Sequence, residues 1–409
     1  MSKSTGLDET GHCPDGKTFG PDNVDSPDPG PTYASHMSVN PDNPAIQQKL
    51  RALGQALVSQ ELAQVAVPPQ EASDGFWFGG GNVLEDADGT LLLCGRYRNY
   101  GDSRTGTGAG ARGLEFAIFR ADGPFGPWEK VRSFTKADLA CEGLGVVSIE
   151  GGGLLRTGGG YELFISTEKD RPYPAGHEGF QKPGTGVWSI DATAAASLDE
   201  LDPAQLRPIL RTDELATLHI KDPVPVPHPG GQGTALIFCH HPFGWSSSNT
   251  GLAVRTDDDA SFEHATHALL PRGTTWDVAC TRVTERLPLP RTGILKDLPP
   301  LSLYFYDGAE CLRQLDENPL AVARPRGWSC EEIGGLAFGV DDDFPTLHRL
   351  SVDFPLFTSS TGTGCSRYVS TVATQEGILA LWQQSQSDLS QPLVSNFLPM
   401  EEVERILSE

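Results

Sequence analysis

Three short strings in this 409-residue chain put a carboxylate at the head of a strand-like run. They are Val147-Ser148-Ile149-Glu150-Gly151-Gly152-Gly153, His219-Ile220-Lys221-Asp222-Pro223 and Thr275-Trp276-Asp277-Val278. Acids drawn together from such distant segments suit acid/base chemistry at an acetal carbon. One carboxyl group must be protonated to release the leaving oxygen and the other must be ionised. A gap of about 6.5–9.5 Å admits a water between them, and about 5–5.5 Å makes the second acid a nucleophile. An acid whose pKa is raised by burial or by a second carboxylate donates the proton, and the better solvated one is the base. Glu150 is read as the donor, Asp222 as the base and Asp277 as the residue that orients or tunes them. The reverse order fits the sequence equally well, as do plain turn-closing roles. Asp74 and the pair Glu331-Glu332 are further candidates.

A second group of residues could hold a ligand. Arg96, Arg98 and Arg112 flank a glycine-rich stretch that also carries Arg104, and Arg367 heads a later strand. Guanidinium groups grip carboxylate, sulfate or phosphate by paired hydrogen bonds; the alternative is a surface insertion whose arginines pair with Asp102 and Glu115. The stretch lacks the Lys-Ser/Thr ending of a phosphate loop and precedes a strand, which argues against a nucleotide site. Trp77, Trp245, Trp276 and Trp328 offer faces for a sugar ring or fill a core. His240, beside His241 at a strand end, could bond a sugar hydroxyl, carry a proton or make a structural hydrogen bond. No Gly-x-Ser-x-Gly elbow and no close-spaced metal-ligand pair occurs, so neither a metal nor another cofactor is expected.

The elements that must position these side chains repeat. Asn82-Val83-Leu84, Leu91 to Arg96, Leu114 to Phe119 and Trp128 to Val131 read as one four-stranded sheet that enters at an axis and finishes on a rim. Comparable restarts follow near Glu150, Asp222, Asp277 and Ser366, at intervals of about 55 to 90 residues, as in a propeller with insertions on one face. The expected fold is all-β, a five-bladed β-propeller over 74–398. Residues 1–42, rich in Pro, Gly, Asp and Ser, read as an extended or disordered arm. A helix within 43–73 opens at Asn43-Pro44 and puts Ile46, Leu50, Leu53 and Leu57 on one face. A short C-terminal helix over 399–409 turns Val403, Ile406 and Leu407 inward. A two-sheet sandwich is the rival, but it does not account for five restarts.

Composition agrees. Forty-six Gly and 32 Pro suit many short strands and tight turns. A net charge of −23, from 54 acidic and 31 basic residues, repels nucleic acid and anionic membranes, so neither is expected as a partner. The eight cysteines show no Cys-x-x-Cys pair, and Cys94 and Cys239, inside apolar runs, read as reduced buried thiols. No apolar run is long enough to span a membrane and no secretory signal is visible, so a cytoplasmic location is expected.

The order of these fragments resembles the five-bladed propeller enzymes of glycoside hydrolase families 43, 32, 117 and 130. Asn82, the Asp88-Gly89 turn, Arg96 and Arg112-Gly113-Leu114-Glu115 resemble the opening of the family 130 mannoside phosphorylases and hydrolases. Lys221-Asp222-Pro223, continuing to His240-His241, is similar to the third-blade segment of such enzymes. Ser148-Ile149-Glu150-Gly151 departs from the group, lacking the Asp-Pro-Arg that often follows there, which bears against a phosphorylase. The resemblance implies a glycosidase that takes a small glycoside or oligosaccharide, one the arginines allow to be anionic, from its non-reducing end. The alternatives are a phosphorylase, a lyase for uronic-acid sugars that works through Arg and His, and a non-catalytic carbohydrate-binding propeller. The oligomeric state is left open.

Overall fold

A computed structural model of the chain describes residues 40, 43–99, 111–258, 260–312 and 328–409. The arm expected over 1–42 lies outside them, Asn40 excepted. Helix α1 (Pro44–Leu57) starts where Asn43 Oδ1 accepts the Ala45 N–H at 3.0 Å, and it buries Ile46, Leu50, Leu53 and Leu57. Strand β1 (Gln64–Val67) follows it.

Five sheets then succeed one another. Blade 1 holds β2 (Trp77–Gly79), β3 (Val83–Glu85), β4 (Leu91–Asn99), β5 (Ala111–Ala121) and β6 (Glu129–Thr135), with β2 and β3 as two halves of a broken inner strand. Blade 2 holds β7 (Val146–Thr157), β8 (Gly160–Lys169), β9 (Val187–Ala195) and β10 (Arg207–Leu210). Blade 3 holds β11 (His219–Pro227), β12 (Thr234–His241), β13 (Asn249–Arg255) and β14 (Glu263–Leu270). Blade 4 holds β15 (Cys280–Pro288), β16 (Leu301–Ala309), β17 (Ile333–Val340) and β18 (His348–Arg349). Blade 5 takes β19 (Ser366–Ala373), β20 (Gly377–Gln384) and β21 (Leu393–Pro399), and helix α2 (Met400–Ser408) ends the chain. Its outer strand is β1, paired antiparallel with β21. The ring is thus closed by a strand from the segment expected to contribute only a helix. No helix of the described residues is long and apolar enough to cross a membrane.

Strand composition follows position. Middle strands β4, β12, β16 and β20 are buried on both faces between neighbouring blades, so they read as continuous apolar runs. The outer strands β6 and β14 are largely exposed and polar. Each junction has its own core: Phe116 and Ile118 meet Leu154 and Ile165 between blades 1 and 2, and Phe78 and Leu93 meet Leu379 and Leu381 between blades 1 and 5. Between blades 4 and 5 the core also takes in Leu50 and Leu53 of α1 and Val403 and Leu407 of α2. Cys94 and Cys239 are free and buried.

Every inner strand loses its regular pairing near the axis. The interruptions fall after Gly79, at Glu150-Gly151, at Asp222-Pro223, at Thr284 and at Tyr368-Val369. Such bulges re-aim side chains and release backbone N–H groups. Neighbouring strands and blades take those groups up. Gly151 donates to Asp222 Oδ1 (3.1 Å), Asp222 to Ser166 Oγ (3.0 Å), Val83 to Ser370 Oγ (3.0 Å) and Thr371 to Glu285 Oε2 (2.9 Å). Asn82 joins blades 1 and 2 twice, donating to Leu154 O (2.9 Å) and accepting from Leu154 N (2.8 Å). Replacing Asn82 by Ala strands both Leu154 groups, and the expected loss is about 2 kcal/mol, read as a lower midpoint in denaturant unfolding; an unchanged midpoint would show that the blades do not depend on this clasp.

Candidate active site

The bulges surround a cavity of about 150 Å³ at one end of the axis. One water needs about 10–15 Å³ on this scale, so there is room for on the order of ten water-sized groups, about one sugar ring with its substituents. Two acids, Glu150 and Glu332, face it, together with Arg96, Arg98, Arg112, Lys182, Lys221 and Arg367. Trp77, Trp188, Trp245 and Tyr368 supply its aromatic wall.

Blade 1 delivers the arginines. Arg96 and Arg98 alternate on one face of β4, opposite Gly79 and Trp77 in the register. Gly80 has φ of +74° and a side chain there would lie 2.1 Å from Arg96 Nη1, so only glycine admits both the turn and the guanidinium. Arg96 Nη1 donates to Gly79 O (3.1 Å), and its Nη2 reaches the Tyr368 hydroxyl (3.3 Å) and Glu150 Oε2 (3.5 Å). Arg112, on β5, pairs with the buried Glu168 at 3.0 Å. The pairing partner expected for it, Glu115, instead binds Lys130 at 2.7 Å, and Asp102 and Arg104 lie outside the described residues.

Blades 2 and 3 deliver the acids. Glu150 Oε1 accepts from Ser148 Oγ (2.9 Å), and Lys221 Nζ stands 3.8 Å from Glu150 Oε2 and 3.9 Å from Asp222 Oδ2. Burial favours the neutral form of Glu150, but Lys221, Arg96 and Arg112 outweigh it and hold its pKa at about 2. Glu150, expected as proton donor, is therefore ionised. Asp222 sits beneath, in left-handed backbone (φ +54°), where its Oδ2 accepts from Arg282 Nη1 at 3.2 Å. The close approach needs Gly151, whose Cβ would fall 2.6 Å from Asp222 Oδ1.

Blades 4 and 5 complete the floor. Arg282, 2% exposed, donates through Nε (3.1 Å) and Nη2 (2.8 Å) to Asp307 and stands 3.6 Å from Glu332. Its guanidinium also lies 4.1 Å from the centre of the Tyr368 ring. Glu332 pairs in turn with Arg367. Tyr368, also left-handed (φ +53°), donates its N–H to the Asp307 carboxylate (3.1 Å), and its hydroxyl is 3.4 Å from Asp222 Oδ2. Burial keeps its phenol protonated, raising the pKa above the ordinary tyrosine value despite Arg282.

The remaining wall is aromatic. Trp188 and Trp245 rings are 3.6 Å apart, and Trp245 Nε1 donates to the Tyr173 hydroxyl at 3.1 Å. That hydroxyl also meets His219 Nε2 at 3.0 Å and donates to Phe243 O at 3.1 Å. Burial, then Lys221, lowers the His219 pKa to about 3, so the ring behind the wall is neutral.

Most residues singled out in the sequence meet at the cavity. Glu150, Arg96, Arg98, Arg112, Trp77, Trp245 and Arg367 line it, as does Glu332 of the further candidates, with Asp222 directly below. The others do not line it, Asp74, Glu331 and Trp328 among them, and three of these are held in other settings. Asp277 is sealed inside blade 4, bound by Arg349 Nε (3.0 Å) and the Tyr306 hydroxyl (3.1 Å). Trp276 stacks on Tyr306 and donates to Ser351 O (3.0 Å), so it fills a core. His240 turns away from the axis, its Nε2 2.8 Å from His267 O. The axial residue of blade 4 is Arg282, five positions beyond Asp277. Lys221, Arg282, Tyr368, Trp188 and Lys182 do not stand out as site residues in the sequence. Lys221 and Tyr368 adjoin residues that do, which is the signal that could have found them. Among the described residues no group of three His, Cys, Asp or Glu side chains is placed to hold a metal ion.

The fold and cavity define a five-bladed β-propeller with an axial site. No family model matches the chain, and no curated protein matches it. Among solved structures it is similar to the BT0996 RGII complex, with a TM-score of 0.55 at 11% identity over 86% of this chain and 96% of that one. It is similar to a glycoside hydrolase to the same degree, with 86% of this chain and 94% of that one covered. At this identity the likeness establishes the shared propeller fold.

The charge state of Glu150 has a measurable consequence. A folded-state pKa near 2 against an ordinary 4.5 means its stabilisation is complete above 4.5 and is lost as pH falls toward 2. The stability advantage of the native protein over Glu150→Gln, from urea unfolding at stepped pH, should be flat at higher pH and shrink across that window. A change near neutrality instead would mark a carboxyl group held protonated.

Proposed function

We propose that this propeller is a carbohydrate-processing enzyme that cleaves a glycosidic bond of a sugar residue seated in the axial cavity. The observation that carries the proposal is the pair Glu150 and Asp222: acids from adjacent blades, aimed by matching bulges, flank one Lys221 ammonium beneath a tryptophan-walled cavity. The indole faces suit the apolar face of a sugar ring. A structurally similar protein is a glycoside hydrolase, and that activity is extended here to this chain. Glu150, ionised, is assigned to the anomeric centre, as base toward water or as nucleophile. Tyr368, protonated and within reach of Asp222 and Arg96, is assigned as donor to the leaving oxygen, with Asp222 as its positioning residue.

A second reaction, elimination from a uronic-acid sugar, is favoured by one observation. The phenol of Tyr368 sits among arginines, and Glu150, the acid most directly exposed to the cavity, is not held protonated. His240, the histidine expected to serve that chemistry, is outside the cavity, which leaves the ionised Glu150 to take the C5 proton and Tyr368 to protonate the departing C4 oxygen.

The test is a panel of neutral and uronic-acid-containing oligosaccharides assayed for new reducing ends and for near-ultraviolet absorbance. Hydrolysis predicts reducing ends without absorbance, and a loss of about 10²–10⁴ in kcat for Glu150→Gln and for Tyr368→Phe. An unsaturated product would assign elimination. Undiminished turnover in Glu150→Gln would overturn the role of that residue.

A further inference from the structure

Resting on the carbohydrate assignment proposed above, we infer that the sugar carries a carboxylate, and that Arg96, Arg98 and Arg367, grouped around Trp77 and Tyr368, are its binding subsite. The charge of the cavity runs against the charge of the chain. Acidic residues outnumber basic ones by 54 to 31 overall, yet among the described residues six cations and two carboxylates line the cavity, with Glu168 and Asp222 standing behind Arg112 and Lys221. The excess of positive groups there does not follow from composition.

Geometry narrows the location. The guanidinium carbons of Arg367, Arg98 and Arg96 lie 4.3, 4.8 and 6.0 Å from the centre of the Trp77 ring. Those of Arg96 and Arg367 lie 5.3 and 5.5 Å from the centre of the Tyr368 ring. Three like charges gathered on one indole, each on a side chain less than a tenth exposed, repel one another through a medium that screens poorly. Carboxylates around them relieve part of this, Glu150 and Asp222 about Arg96 and Glu332 and Glu331 about Arg367, and Glu150 and Glu332 are shared with Lys221 and Arg282. A carboxylate bound from the open side of the cavity adds a further partner to the three guanidinium groups.

Planar guanidinium forks match a carboxylate in two parallel hydrogen bonds, and the indole between them gives the sugar ring a face. Lys182, exposed at the rim, and Arg112 extend the positive surface outward along the entry, which draws an anion past an otherwise negative protein. Sulfate shares this chemistry. The shape of the site, with stacking faces beside the cations, favours an acid group built into a sugar.

Calorimetric titration separates the outcomes. A panel of methyl uronides (gluco, galacto, manno and ido) is compared with the matching neutral methyl glycosides and with inorganic sulfate. At least one uronide should bind about tenfold or more tightly than its neutral counterpart, with the preference falling as salt is raised. Arg98→Met should erase most of that preference, and Arg367→Lys, which keeps a cation beside Glu332 but loses the planar fork, should reduce it, each with the fold checked by its unfolding midpoint. The salt series on the unaltered protein tests the inference even if a variant fails to fold. Equal or tighter binding of the neutral glycosides would overturn the anionic subsite and leave the carbohydrate assignment standing. Sulfate binding as tightly as any uronide would overturn the carboxylate in favour of a simple anion site. Binding of no glycoside, acidic or neutral, would overturn both.

Discussion

Arg282 cannot leave the interior, and the organisation of the axis follows from satisfying it. Its guanidinium is buried at the meeting point of the inner strands, touching Asp222 of blade 3, Asp307 of its own blade, Glu332 before β17 and the Tyr368 ring of blade 5. A buried charge of this kind is tolerated only when several partners surround it. Two of those partners, Glu332 and Tyr368, line the cavity, and Asp222 lies directly below it. Asp307, which burial pushes up to about 6 although Arg282 opposes that, also receives the Tyr368 N–H and so holds the left-handed bulge. One ion-pair centre therefore sets both the floor and the aim of the site.

The bulges extend this logic around the ring. Each interruption of an inner strand frees a backbone donor, and each such donor described above is met by a side chain or carbonyl from an adjoining strand or blade. Glu285, buried and raised to about 7 by its burial, receives the Thr371 N–H and the Ser370 hydroxyl. Ser370 in turn receives Val83 N–H, which links blades 4, 5 and 1. Polar satisfaction at the axis and apolar packing between blades thus act at different radii. The first fixes where the side chains of the cavity point, and the second keeps the blades together.

Much of the architecture was legible in the sequence. The capped helix at Asn43-Pro44, the glycine-punctuated restarts and the four strands of blade 1 follow from local rules: capping, turn chemistry and burial patterns. The outer strand of blade 5 was not legible, because Gln64–Val67 gains its identity only by pairing with β21, more than three hundred residues away. The same division holds within the site. Glu150 and Asp222 stood out because glycine and proline beside them marked irregular strand. Asp277 looked equivalent, with a Trp and an apolar run beside it, but its neighbours in space are Tyr306 and Arg349, and they seal it in a blade core.

The sequence by itself determined a β-rich repeating chain with acids and arginines near its strand starts, since periodicity and turn residues are local properties. Tertiary structure alone decided which of those groups converge, and with what charge. Glu150 illustrates the difference. As a residue in a string it reads as the proton donor, an acid whose affinity for protons is raised. Placed beside Lys221 and Arg96 by two other blades, it is an ionised carboxylate, because the pKa of a buried group is set by its neighbours in space.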